Sequence, residues 1–272
     1  MTAQSKEQRC VSLSQLSDLR LLREHAYIDG RWCSADNLQV IEVTNPFDGS
    51  FIGTVPNMGV LETRKAIASA KEAFPAWAAL LPQERSSALR RWHDLLIENK
   101  EDLALLMTLE QGKPINEARG EIDYAASFVE FYAEEAKRVN VENVTSHLPG
   151  RNMSIKREPI GVTAAVTPWN FPCAMITRKA AAALAAGCTM IVRPATETPF
   201  SATALAELAE RAGIPAGVFN IVTGDPNPVV GELCGHHDVR ALSFTGSTEV
   251  GREIRSVTAG TGKALTLELG GK

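Results

Sequence analysis

An α/β fold, with a parallel sheet flanked by helices, is predicted by three features of this sequence. After Pro159, apolar runs of strand length alternate regularly with helix-length segments. The run Val166-Thr167-Pro168-Trp169-Asn170-Phe171-Pro172 reads as the end of a buried strand, a tight turn and a helix start. From Leu61 to Val139 the apolar residues instead follow a helical period. Strands alternating with helices imply βαβ units and a parallel sheet.

The elements follow in order. Residues 1-24 are polar and weakly amphipathic, which suits a loose arm or a short helix. Tyr27-Ile28-Asp29-Gly30-Arg31-Trp32 has the pattern of a hairpin, two short strands about an Asp-Gly turn. Val40 to Val43 and the segment ending at Val55 repeat that pattern about Asn45-Pro46 and Gly49. Ile67, Ala70, Phe74 and Trp77 share one helical face, and Pro82 opens a second helix carrying Leu89, Trp92, Leu95 and Leu96. A third helix ends at Gln111-Gly112-Lys113-Pro114, and a fourth runs from about Ile115 to Val139. These helices form core, and their charged residues read as solvated faces. Residues 140-160 alternate weakly around Pro149-Gly150, as an exposed two-stranded ribbon would. Strands are then expected at Gly161 to Thr167, Thr189 to Arg193, Val218 to Val222, Arg240 to Phe244 and Lys263 to Leu269. Helices are expected at Phe171 to Ala186, Pro199 to Gly213, about Val229 to Cys234, and Thr248 to Val257. Pro168 cannot donate to a ladder, and Pro172 suits a first helical turn.

Bulk properties exclude several classes. An apolar share of 44% and a charged share of 22% are ordinary for a globular protein. A net charge of -4 makes no electrostatic case for nucleic acid or membrane. Cys10, Cys33, Cys173, Cys188 and Cys234 form no Cys-x-x-Cys pair, which argues against a disulfide framework or a metal site and fits a reducing compartment. The N-terminus has no apolar signal region, and its basic residues are interspersed with acidic ones. The expected address is cytoplasmic.

Ligands of parallel α/β sheets bind beyond the carboxyl ends of the strands. Asn170 stands at such an end, where a side-chain amide can hydrogen-bond a developing oxyanion. No Gly-x-Gly-x-x-Gly follows the first strand. Backbone amides at a helix N-terminus can hold phosphate instead. Thr245-Gly246-Ser247-Thr248 offers such a site, or equally a plain Ser cap. Gly224 and Gly231 flank a Pro-rich loop. Glu268, between Leu267 and Leu269, is a carboxylate in an apolar strand and must be paired or functional.

Taken together, Ala186-Gly187-Cys188-Thr189-Met190, Ile191-Val192-Arg193-Pro194, Ser243-Phe244-Thr245-Gly246-Ser247-Thr248 and Thr266-Leu267-Glu268-Leu269-Gly270-Gly271-Lys272 resemble the NAD(P)-dependent aldehyde dehydrogenase superfamily. Ala174-Met175-Ile176-Thr177-Arg178-Lys179 looks like its succinate-semialdehyde dehydrogenase branch. The resemblance runs from about Tyr27 to Lys272. It implies a Rossmann-like cofactor-binding domain over residues 25-139 and 161-272, with 140-160 as an oligomerisation ribbon. It also implies a homodimer or homotetramer when full length. Family members carry their nucleophilic Cys beyond the Glu-Leu-Gly-Gly motif. The expectation is therefore an N-terminal part with the catalytic domain absent.

The resemblance also assigns roles. Asn170 with a backbone amide stabilises the oxyanion of a thiolate adduct, hydride passes to the nicotinamide, and Glu268 activates the water that hydrolyses the thioester. Lys179 is the expected partner of Glu268. Trp169, Asn170, Arg193, Pro194, Ala195, Thr196, Gly231, Gly246, Ser247 and Leu269 are expected around the cofactor. Arg193 replaces the Lys usual in the family and keeps its charge. Thr196 stands where NAD-preferring members have Glu, so NADP is the expected cofactor, with NAD possible. Glu197 is placed to reverse that preference. Arg178 is expected to bind the far carboxylate of the aldehyde. Cys173 lies close to Asn170 but lacks the nucleophile's context. The rival expectation is a dinucleotide-binding or scaffold fragment without aldehyde oxidation.

Overall fold

The computed structural model describes residues 11–139 and 141–271. Two 3-10 turns, Val11–Gln15 and Leu19–Leu21, bury Leu13, Leu16 and Leu21. The buried Asp102 carboxylate accepts the Ser17 and Asp18 amides at 2.9 and 2.7 Å. The described part of the arm is therefore docked, as short helical turns rather than a loose arm. Residues 1-10 lie outside the described region.

The hairpin of β1 (Ala26–Ile28) and β2 (Arg31–Cys33) turns through Asp29 and Gly30, both with positive φ. Asp-Gly suits this because the primed turn that matches strand twist needs two such residues. A second hairpin joins β3 (Val40–Thr44) to β4 (Phe51–Pro56). Four helices follow: α1 (Val60–Ala79), α2 (Pro82–Glu98), α3 (Lys100–Gln111) and α4 (Ile115–Glu135). Pro82 sits in the first turn of α2, and Gly112 ends α3 in the left-handed conformation. A 3-10 turn, Ala136–Arg138, finishes α4. The ribbon is β5 (Glu142–Val144) with β6 (Met153–Ile155), exposed along its whole length.

The alternating half contains β7 (Val162–Val166), α5 (Ala174–Ala186), β8 (Thr189–Arg193), α6 (Pro199–Arg211), β9 (Phe219–Ile221), α7 (Pro226–Gly235), β10 (Val239–Gly246), α8 (Thr248–Thr258) and β11 (Ala264–Leu269). One seven-stranded sheet runs in the order β11-β10-β7-β8-β9-β1-β2. The five strands from β7 to β11 are parallel, and the first hairpin adds two antiparallel strands beyond β9. That addition is not legible locally, because the pairing of Tyr27 with Ile221 joins distant segments.

β7, β8 and β9 are buried on both faces, as expected where helices cover both sides of parallel strands. Side chains alternate between two cores. Ala165, Met190, Val192, Phe219 and Ile221 join the side formed by α2 to α6. Ala164, Val166, Ile191, Leu242 and Phe244 join the side closed by α1, α7 and α8. Trp92 anchors the first core. Its ring lies 5.4 Å from that of Phe219, and its indole N–H reaches the Leu205 carbonyl at 3.2 Å. That bond satisfies the one polar group an inward Trp brings.

The start of α5 differs from the sequence reading. α5 starts at Ala174, so Phe171 and Pro172 lie in the preceding turn. The cause is a cap from elsewhere: the Glu121 carboxylate of α4 accepts the Cys173 and Ala174 amides at 3.0 and 3.3 Å.

Candidate active site

The chain runs from β7 through β8 to β9, then returns to lay β10 on the other side of β7. Beyond the carboxyl ends of β7 and β10 the connections depart in opposite directions, which opens a crevice. Thr167 still donates its amide to the Arg193 carbonyl at 3.2 Å, so the ladder ends at Pro168. The turn then presents Trp169, Asn170 and Phe171 to the surface, with Trp169 55% exposed. The Asn170 side chain is solvent-facing, while its backbone carbonyl accepts the Lys113 ammonium at 2.8 Å.

Glu268 lies across from Thr245 in the β10–β11 register. Its Oε2 accepts the Thr245 hydroxyl at 2.9 Å, and its Oε1 accepts Arg178 Nη2 at 2.7 Å. Lys179 Nζ is 3.6 Å from Oε2 and donates to Ser243 Oγ at 2.8 Å. The expected Lys179 partnership is present, with Arg178 as the closer cation. Glu268, Arg178, Lys179 and Ser243 line a cavity of about 340 Å³ together with Tyr132 and Thr163. Partial burial opposes the Glu268 charge, but the Thr245 hydroxyl and the Lys179 and Arg178 cations outweigh it and hold the carboxyl below its usual range. Burial pushes the Lys179 ammonium down, against the pull of Glu268. The pair of groups is thus an ionised carboxylate beside an ammonium whose charge burial disfavours.

At the end of β8 the Arg193 guanidinium is buried. Nη2 donates to the Thr196 hydroxyl and to the Gly224 carbonyl at 3.0 Å, and Nε has no partner. These acceptors are neutral, and burial pushes its pKa down against the pull of the Glu197 and Asp225 carboxylates. Pro194 and Ala195 are buried behind it, Thr196 is half-buried and Glu197 exposed. At the end of β10, Ser247 caps α8 by accepting the Val250 amide at 3.2 Å. The Ser cap is therefore real, and the exposed first turn of α8 remains able to face an anion.

Not every glycine needs a ligand to explain it. A Cβ on Gly246 would meet the Phe244 ring at 2.4 Å, so packing alone requires glycine there. Gly224, with φ of +138°, lies against the Met58 backbone, where a Cβ would come within 2.2 Å of the carbonyl oxygen. Gly231 is exposed on α7 with open space around it. The Leu269 side chain packs over Gly251 of α8, leaving its backbone at the end of β11. His236, His237 and Asp238 place three ligand atoms within 4.8 Å of one another, but Asp238 is engaged by Lys71 at 2.8 Å.

Cys173 is fully buried, and burial pushes its thiol well above the ordinary value with Glu121 adding to the effect. Such a thiol is not ionised near neutral pH and is no nucleophile. Burial also raises Cys188, and lifts Cys234 to about 11.

Two acids escaped the sequence reading. Glu110 accepts the Phe200 and Ser201 amides at 2.7 Å each and caps α6. Glu121 caps α5 and pairs with Lys113. A signal existed for both. Glu110 continues the buried stripe of Leu103, Leu106 and Met107, and Glu121 falls between Ala118 and Ile122 on another. A carboxylate on an apolar stripe requires a partner.

Residues 32–272 match the aldehyde dehydrogenase family. A glutarate-semialdehyde dehydrogenase of Pseudomonas putida is 60% identical over 94% of this chain and 54% of its own length. The NADP(+) succinate-semialdehyde dehydrogenase of Escherichia coli K12 is 56% identical over 94% of this chain and 53% of its own. A crystal structure of succinate-semialdehyde dehydrogenase from Burkholderia pseudomallei superposes with a TM-score of 0.94 at 52% identity, covering 94% of this chain and 53% of that one. The chain thus spans about half the length of the curated relatives it matches.

Proposed function

Because this chain belongs to the aldehyde dehydrogenase family, we propose that it serves NAD(P)-dependent oxidation of succinate semialdehyde, or of a similar carboxylate-bearing aldehyde, to the acid. It supplies the cofactor cradle, the oxyanion donor and the general base. The carrying observation is the cluster of Glu268, Thr245, Lys179 and Arg178, which joins the ends of β10 and β11 to α5. It puts an ionised base and a guanidinium side by side.

A thiolate from outside these residues adds to the aldehyde carbon, and the Asn170 amide donates to the oxygen as it gains charge. A nicotinamide, when bound, would accept the hydride from the adduct carbon, so that the acyl group would remain on the sulfur as a thioester. Glu268 then takes a proton from water as the water's oxygen bonds to the acyl carbon, and the carbon–sulfur bond breaks. Lys179 and Thr245 hold the carboxylate where it can accept that proton. Arg178 binds the far carboxylate of the substrate. One of its nitrogens holds Glu268, while Nη1 meets only the Met175 sulfur, at 3.8 Å. Relatives named for glutarate and succinate semialdehydes both act on aldehydes ending in a carboxylate, which fits a guanidinium in that place.

The residues also fit a dinucleotide. The buried Arg193 charge, only partly offset by Glu197 and Asp225, and the first turn of α8 both favour an anion, and Thr196 leaves room for a 2′-phosphate that a carboxylate would repel. NADP is the preferred cofactor in this reading, with NAD accepted. Trp169, Gly231 and the Leu269 backbone complete the cofactor's surroundings. The ribbon is assigned to contacts within a homodimer or homotetramer, and the unpaired Cys33, Cys173, Cys188 and Cys234 to a reducing cytoplasm.

The test is an assay of the protein isolated from its own cells, with succinate semialdehyde, glutarate semialdehyde and uncharged aldehydes of matching length, each with NADP+ and NAD+. The semialdehyde acids should have the higher kcat/KM. Equal turnover of uncharged aldehydes would remove the assigned role of Arg178. Cofactor binding without any oxidation would favour a dinucleotide-binding or scaffold role.

A further inference from the structure

The motif Gln111-Gly112-Lys113-Pro114 plays no part in the chemistry above, yet its lysine reaches the catalytic turn. Lys113 follows the left-handed Gly112 at the end of α3, and its side chain is 10% exposed. Glu121, two turns into α4, is 1% exposed and ion-paired with it. The pair grips the turn after β7 at both ends. Lys113 Nζ donates to the Asn170 carbonyl at 2.8 Å and lies 4.0 Å above the Phe171 ring. The other oxygen of Glu121 accepts the Cys173 and Ala174 amides where α5 begins.

An ion pair this buried is a poor way to gain stability. Desolvating two charges offsets most of their attraction, and apolar side chains of similar volume often do as well. What it offers instead is direction. The ammonium bridges a backbone carbonyl and a carboxylate, and the carboxylate distributes its oxygens between the lysine and two backbone amides. The Asn170 side chain is solvent-facing, so core packing does not fix the residue's height above the crevice.

We propose that Lys113 and Glu121 are positioning residues that hold the Asn170 turn in its oxyanion-binding geometry. The inference rests on the reading of Asn170 as oxyanion donor. Neither residue touches the reacting atoms. Losing Lys113 frees the Asn170 carbonyl and leaves Glu121 buried with an unpaired charge, so the turn should relax by a fraction of an ångström or more. Misplacement on the order of 1 Å costs about 100-fold in rate when a reacting group depends on it.

The test uses Lys113→Met, Lys113→Arg, Glu121→Gln, Asn170→Ala and the double variant Lys113→Met/Asn170→Ala, made at the gene's own locus and purified from the source cells. Lys113→Met should lower kcat by about 10- to 100-fold and leave the Kd for NADP+ within about twofold. Lys113→Arg, which keeps the charge and the donors, should recover part of the loss. The double variant should be no slower than Asn170→Ala, because a positioning effect vanishes once the positioned group is gone. Losses that multiply in the double variant, or a kcat unchanged in Lys113→Met, would overturn the inference. Amide hydrogen exchange separates this from a failure of the functional reading. Lys113→Met and Glu121→Gln should speed exchange at Phe171 and at residues 173 to 175 while leaving β7 unchanged. Unaltered exchange there would refute the clamp even if the protein oxidised no aldehyde, and Asn170→Ala with full activity would refute the role of the amide it holds.

Discussion

At the residue scale, the proposed selectivity rests on a few charges. Arg193 and Thr196 are joined by a hydrogen bond at the end of β8. A carboxylate at 196 would meet the guanidinium and repel a 2′-phosphate, and like charges in contact cost several kcal/mol. Thr196→Glu should therefore lower the ratio of kcat/KM for NADP+ over NAD+ by about tenfold or more, read from initial rates with each cofactor. An unchanged ratio would mean that Thr196 does not face the adenosine ribose. Arg178→Ala should raise KM for succinate semialdehyde by about 30-fold or more and alter that for butanal far less; equal effects would count against carboxylate binding. The same variant removes one cation that lowers the Glu268 pKa. The acid limb of the kcat profile should therefore move to higher pH. Glu268 stood out in the sequence as a carboxylate in an apolar strand, whereas the roles expected of Asn170 and Arg178 came from the family resemblance. Lys113 and Glu121 did not stand out, because their partners lie in a turn some fifty residues further along. Thr245 was read as part of a phosphate loop, and its bond to Glu268 depends on strand register.

At the element scale, two helices begin on carboxylates borrowed from other helices. Glu110 caps α6 and Glu121 caps α5. The helices themselves were readable from period and from Pro and Gly signals, whereas the start of α5 was displaced because its cap is not local. Complete burial pushes the Glu110 carboxyl up to about 8, against the lowering effect of Ser201 and the Phe200 amide. The sign follows from proton binding. An acid whose folded pKa lies above its unfolded value stabilises fully below the unfolded pKa, and that contribution is lost as pH rises through the folded one. Stability should fall by a few kcal/mol, at most, between about pH 5 and 8. Urea midpoints across that range should show the decline, and Glu110→Gln should flatten it. A Glu110→Gln protein with the wild-type slope would place the pH dependence elsewhere. The first hairpin shows the opposite balance between local and distant information. Its Asp-Gly turn was fully legible, yet its place beside β9 was not.

At the scale of the whole molecule, the described surface is unevenly finished. Both faces of the central strands are covered, but β11 ends the sheet with one side unpaired among the described residues. The ribbon carries exposed Val144, Met153 and Ile155, with Val141 and Leu148 beside it. Free strand edges and apolar patches favour association. The 272-residue chain should sediment as dimers or larger species at micromolar concentration, and Val144→Ser with Ile155→Ser should weaken them. A monomer throughout, by analytical ultracentrifugation, would show that these surfaces do not self-associate. No helix among the described residues is long and apolar enough to cross a membrane. The docking of β1 against β9 has a further consequence, for synthesis on the ribosome. Tyr27 emerges roughly 190 residues before its partner Ile221. At roughly 5–20 residues per second, the hairpin waits about 10 to 40 s with its ladder groups unmet. Through that interval the nascent chain offers an unmatched β-edge to its neighbours on a polysome, and a chaperone that binds early has most to protect there.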